Sequence, residues 1–173
     1  KGIQVLSQPV ASRINTQPKY PDLKDIRGQK LAKRAIEIAA AGGHNLLMYG
    51  PPGAGKSMLA ARLPGILPEL TATEVLECST ISSIAGRLQD GNLTQQRPFR
   101  APHHTCTIAA MVGGGAGRKV KPGEISLAHN GVLFMDEFPE FPSGVIESLR
   151  QPLETREVFI ARSGAHIRYP ANF

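Results

Sequence analysis

With 173 residues, 41% of them apolar, the chain has the length of one domain and enough apolar side chains to fill one core. It carries a net charge of +6, from 20 cations against 14 carboxylates, which suits a solvated basic face or a phosphate-bearing partner. No run is apolar and long enough to serve as a signal peptide or to span a membrane, and Cys78 and Cys106 match no CxxC pattern, so the expectation is a soluble, cytoplasmic protein with buried, reduced thiols.

In chain order, residues 1–21 hold Pro9, Pro18 and Pro21 among polar residues and read as a linker or arm, leaving 22–173 as the domain. The first residue is a lysine, which suggests a piece of a longer protein. From Gln29 onward, Leu31, Ala35, Ile38 and Ala39 have helical spacing, stopped by Gly42 and Gly43. Leu46–Tyr49 is a short apolar run before a Gly/Pro turn, as a buried strand would be, and a helix is expected from Lys56 to about Leu63. Thr71-Ala72-Thr73-Glu74 has capping-box spacing and opens a helix toward Ala85.

Gly86–Gly123 is rich in Gly, Pro and polar residues and too long for an ordinary loop, as functional insertions and disordered segments are. Ile125–Leu127 and Val132–Met135 flank a turn centred on Asn130-Gly131, and the second run is a fully apolar strand. Pro142 leads a helix with Val145, Leu149 and Leu153 on one stripe; Val158–Ala161 and Ile167–Tyr169 then form a β-hairpin. Strands alternating with helices imply an α/β fold with a largely parallel sheet.

Gly50-Pro51-Pro52-Gly53-Ala54-Gly55-Lys56-Ser57 meets the P-loop pattern Gly-x4-Gly-Lys-Ser/Thr at every fixed position. Its glycines let backbone N–H groups close around phosphates, Lys56 would reach the β- and γ-phosphates, and the Ser57 hydroxyl would ligate Mg²⁺. A chance glycine turn is the competing reading, and the strand before and helix after weigh against it. Asp136-Glu137 ends the apolar run Val132–Met135, where Asp136 would hold the metal ion through water and Glu137 would act as general base. A helix cap is the alternative for that acidic pair taken alone.

His103-His104 are adjacent, point apart on any regular element and have no third ligand at metal spacing, so a structural or phosphate-contacting role is preferred to a metal site. His44 and His129 receive no role. The cations have a clearer pattern. Arg97, Arg100, Arg118, Lys119 and Lys121 lie in a stretch without a carboxylate, and so do Arg162 and Arg168 between Val158 and Phe173. Both stretches are read as parts of a nucleic-acid groove, against the alternative of a merely soluble face.

The P-loop with its strand-terminal Asp136-Glu137 resembles AAA+ ATPases. Arg97–His104 and Lys121–Glu137 closely resemble the magnesium-chelatase-like branch, and within it the ComM/YifB family, over about 22–173; Glu124–Glu137 is also similar to MCM helicases. The resemblance implies a P-loop AAA+ core whose parallel sheet is flanked by helices, with a helix-2 insertion and a hairpin mapping onto Gly86–Gly123 and Val158–Tyr169. ATP with Mg²⁺ would meet Ile26, Gly28 and Gln29 at the adenine and Gly50, Pro51, Pro52, Gly53, Ala54, Gly55, Lys56, Ser57 and Met58 at the phosphates. It further implies a homo-hexameric ring with both insertions facing its centre. ComM-like members imply DNA branch migration during natural transformation, and chelatase members imply a motor for inserting Mg²⁺ into protoporphyrin. The sensor-1 strand, arginine finger and helical lid are expected beyond Phe173, so the core is expected to be C-terminally incomplete, with its missing strand lying between those that end at the P-loop and at Asp136.

Overall fold

The computed structural model describes residues 20–88, 93, 95–115, 120–162 and 165–173, with 162 and 165 described in backbone alone. A 3-10 turn at Leu23–Asp25 leads into α1 (Lys30–Gly42). This helix stops where Gly43 turns left-handed at φ 61°, its N–H on the Ala39 carbonyl. The helix expected to Leu63 divides into α2 (Lys56–Ala60) and α3 (Leu63–Ile66), because Pro64 suits the first turn of a new helix and not the interior of an old one. In α4 (Ala72–Ile84) the capping box is complete: Thr71 Oγ1 accepts from Glu74 N–H, and the Glu74 carboxylate accepts from Thr71 N–H at 2.8 Å.

Gly86–Gly123 is more than an insertion. It delivers β1 (Phe99–Arg100), α5 (Ile108–Val112), β2 (Gly113–Gly114) and β3 (Lys121–Pro122). The short strands β2 and β3 pair antiparallel, while β1 pairs in parallel with β4 (Val132–Leu133), Phe99 opposite Val132 and Arg100 opposite Leu133. Gly131 permits that pairing, since a Cβ there would lie 2.1 Å from the Pro98 carbonyl oxygen. Two further bonds, Val132 N–H to Pro98 O and Phe134 N–H to Arg100 O, both 2.8 Å, complete the ladder. Ile125–Leu127 is not extended: it forms most of α6 (Glu124–Leu127), a three-residue apolar run being too short for periodicity to type. The turn at Asn130 is present, with φ 57°.

The helix expected after Pro142 is two, α7 (Ser143–Glu147) and α8 (Arg150–Thr155). Val145 and Leu149 are buried, but the third stripe residue, Leu153, is half exposed. The hairpin forms as expected from β5 (Glu157–Arg162) and β6 (Ala165–Pro170), with Val158 opposite Tyr169. Its inner face, with Met111, Ile125, Phe141 and Val145, makes the main core. A smaller cluster of Leu23, Ile26, Ile36 and Leu59 lies under the P-loop.

Leu46–Tyr49 departs most from expectation. No described segment pairs with it, and Leu47 and Tyr49 are 83% and 101% exposed. A buried parallel strand needs ladder partners about 4.8 Å away on its edges, and among the described residues β4 is paired by β1 on one side only.

Candidate nucleotide site

Two short elements and the turns before and after them build the site. Gly53 and Gly55 stand at φ 77° and 80°, values an L side chain reaches only at a cost, so the turn depends on glycine. It is tied from outside by Gln29, whose Nε2 donates to Ala54 O at 2.8 Å. Gln29 itself is left-handed, following left-handed Gly28. Ile26 is buried in the small core, and its backbone carbonyl accepts from the Lys33 ammonium. Met58 is about half exposed on α2.

The Lys56 ammonium donates to the carbonyls of Gly50 at 2.8 Å and Pro51 at 3.0 Å, the first two positions of the turn. These are bonds that phosphate oxygens can replace, since an ammonium has three donors and no acceptor. Ser57 Oγ donates to Asp136 Oδ2 at 2.6 Å across 79 residues of sequence. The other carboxylate oxygen, Oδ1, accepts from Glu137 N–H at 3.0 Å. A hydroxyl and a carboxylate brought together are the hard oxygen donors that Mg²⁺ takes from a protein when phosphates and waters supply the rest. The residues therefore fit the ion, and bound there it would neutralise charge on the phosphates.

Glu137 is left-handed at φ 54°, an uncommon state for a glutamate. Its carboxylate is 65% exposed and lies 3.3 Å from His104 Nδ1. The His103 and His104 rings do not diverge. A tight turn, in which Cys106 N–H bonds His103 O, brings their centroids to 4.0 Å. Among the described residues no three His, Cys, Asp or Glu side chains could hold a metal together.

The cations are placed unevenly. Arg97 is mostly buried and committed to Pro68 O at 2.6 Å, Asn130 O at 2.8 Å and Glu74 at 3.4 Å. Arg100 grips Glu124 through two bonds of 2.5 and 2.9 Å. Lys121 is exposed. Arg168 is exposed on the hairpin, over the Phe159 ring and 3.7 Å from Glu157. Arg118, Lys119 and the Arg162 side chain fall outside the described residues.

His129 also has a place that no sequence signal marked. It is buried, with Nε2 3.1 Å from Glu77, and its Nδ1 accepts from Asn172 N–H at 3.0 Å. Glu77 accepts a second bond from Asn130 Nδ2, at 2.9 Å, and these two donors hold its carboxyl below the usual carboxylate range. Next to it, Cys78 donates to His129 O and burial pushes its thiol up to about 11. The turn that starts β4, and so aims Asp136, is thus clamped from α4.

The family described as magnesium chelatase, subunit ChlI, matches residues 22–173. The competence protein ComM of Haemophilus influenzae is 56% identical over 152 residues, covering 88% of this chain and 30% of that protein. YifB of Salmonella typhimurium is 50% identical over 173 residues, 100% of this chain and 34% of its own length. The chain therefore spans about a third of the curated relatives it matches. Among solved structures, the complex of the magnesium chelatase subunits BchI and BchD superposes with a TM-score of 0.59 at 22% identity, over 82% of this chain and 48% of that one. The shared fold is that of AAA+ proteins.

Proposed function

The chain belongs to the magnesium chelatase subunit ChlI family, and on that premise we propose that it is the ATP-binding and ATP-hydrolysing core of a hexameric DNA branch-migration motor. One observation carries the ATPase part: the P-loop serine and the strand-end aspartate, far apart in sequence, meet at 2.6 Å. Lys56 binds the β- and γ-phosphates, Ser57 and Asp136 hold Mg²⁺, and Glu137 takes the proton of the attacking water. Ile26, Gly28 and Gln29 frame the adenine with their backbone.

DNA as the partner is supported by the carboxylate-poor stretches and by the similarity to ComM. Arg168 and Lys121 are exposed, and with Arg118, Lys119 and Arg162 they would meet phosphates; Arg97 and Arg100 would first have to leave Glu74 and Glu124. That commitment of two arginines favours a second reading, a chelatase-type motor working on a protein or metal-insertion partner.

Titration calorimetry tests the first part. Lys56→Ala should weaken binding of ATP with Mg²⁺ by about 10- to 100-fold, the worth of its charge-assisted bonds; equal affinity for both forms would sink it. Fluorescence anisotropy with branched and single-stranded DNA tests the second. In the intact protein with ATP, affinity should fall with salt at about 0.7–0.9 in the log–log slope for each phosphate neutralised, and Arg168→Glu should lower that slope. If neither DNA binds at low salt, the chelatase-type reading replaces the helicase one.

A further inference from the structure

We propose that His129 is a positioning residue for the nucleotide site, a joint through which α4 and the base of the β5–β6 hairpin set the line of β4 and thereby the aim of Asp136. The proposal rests on the reading of Asp136 as a Mg²⁺ ligand.

The hydrogen bonds of the ring fix its tautomer. A backbone N–H can only donate, so the bond from Asn172 N–H to His129 Nδ1, 3.0 Å long, leaves Nδ1 without a proton and puts the ring proton on Nε2. Nε2 then donates to Glu77 Oε2 at 3.1 Å. One imidazole therefore holds two elements at once: it accepts from the chain just past β6 and donates to a side chain of α4. The two roles cannot be exchanged, because a proton on Nδ1 would face the Asn172 N–H. At 6% exposure, His129 leaves water little room to replace either bond.

The next residue repeats both links. Asn130 N–H donates to Asn172 O at 2.6 Å, and Asn130 Nδ2 donates to Glu77 Oε2 at 2.9 Å. Ala171 N–H on Arg156 O, at 2.8 Å, ties the same segment across the base of the hairpin. From left-handed Asn130 the chain passes through Gly131 directly into β4, whose ladder with β1 holds it as far as Phe134. Asp136 follows two residues on, with Ser57 Oγ at 2.6 Å. An extended backbone bonded along one edge carries a shift at its start to its end. Mg²⁺ demands near-octahedral geometry, so a small shift at the joint weakens the hold of this hydroxyl–carboxylate pair on the ion.

Titration calorimetry and steady-state ATPase assays on the intact protein test this. His129→Phe fills the space and removes both bonds. The gain in ATP affinity that Mg²⁺ confers should shrink about three- to tenfold, the worth of one hydrogen bond, and kcat should fall by a similar factor. ATP affinity without Mg²⁺ should stay within about twofold, a split that general loss of structure would not produce. His129→Asn keeps an acceptor for Asn172 N–H and His129→Gln keeps a donor for Glu77, so at least one of them should recover part of the loss. Should His129→Phe fail to fold, Glu77→Ala removes the acceptor at a half-exposed carboxylate and should give the same split. An unchanged Mg²⁺ gain in the folded variant overturns the proposal. So does a loss that His129→Asn and His129→Gln both share in full, which assigns the effect to packing. Asp136→Asn separates this from the reading beneath it. ATP binding that still gains as much from Mg²⁺ in Asp136→Asn removes the metal-ligand reading, whereas a lesser gain there beside an unmoved one in His129→Phe removes the joint alone.

Discussion

Around β4 and the hairpin, buried side chains from Met111 to Ala171 interlock in one cluster that draws on α5, α6, α7, β5 and β6. Around the P-loop, Leu23, Ile26, Ile36 and Leu59 suffice, and the neighbouring Leu47 and Tyr49 stand in solvent. One half is held by packing between distant elements and the other by local means: left-handed glycines, the Gln29 clamp and the reach of Lys56 to its own turn. The difference teaches that an apolar run buries itself only when a neighbour is there to cover it.

Core truncation should expose this difference most. Met111→Ala, at a fully buried site, should cost about 2–5 kcal/mol in denaturant unfolding, and Ile36→Ala should fall at the low end of that range because its surroundings are free to collapse. Equal costs would break the comparison. The link from α4 to the β4 turn comes next. Burial keeps the Cys78 thiol protonated up to about 11, against 9.0 for a thiol in open solvent. The unfolded chain releases that proton first, so stability is full below pH 9 and falls by about 1.4 kcal/mol per unit between the two values. Melting temperatures from pH 8 to 10.5 should drop less steeply in Cys78→Ala; parallel curves would show that the thiol is not the group responsible.

A smaller effect belongs to the cap of α4. Thr71→Ala should cost about 1 kcal/mol by thermal unfolding, and no loss would mean that Glu74 and Arg97 hold the helix start without it. The smallest is expected at Tyr49→Ser, within about 0.5 kcal/mol by the same measurement, as for any exposed site. A cost near that of Met111→Ala would show that this run is covered in solution and the contrast between the halves is false.

How much the sequence disclosed follows the range of the interactions involved. The P-loop, the capping box at Thr71 and Glu74, the stop at Gly43 and the β5–β6 hairpin are local, and their residues announce them. The approach of Ser57 to Asp136 was legible only because two motifs imply each other. Long-range facts were not legible. Two-residue β1 lies inside what reads as a loop, and only its ladder with β4 identifies it. Without that ladder nothing couples His104 to Glu137, and nothing in a lone histidine marks His129 as the partner of Glu77 and Asn172. Charge alone was no guide to availability, since Arg97 and Arg100 are spent on partners far along the chain.

The contact between Ser57 and Asp136 also sets a clock on the ribosome. It joins residues 79 apart, so at about 5–20 residues per second some 4–16 s of synthesis separate the birth of its two ends. Throughout that interval the nascent P-loop has its own glycines, Lys56 and the already synthesised Gln29 to shape it, and no carboxylate opposite. The phosphate cradle is an early product of translation and the metal-binding pair a late one. A nascent chain halted before Asp136 would have the first without the second.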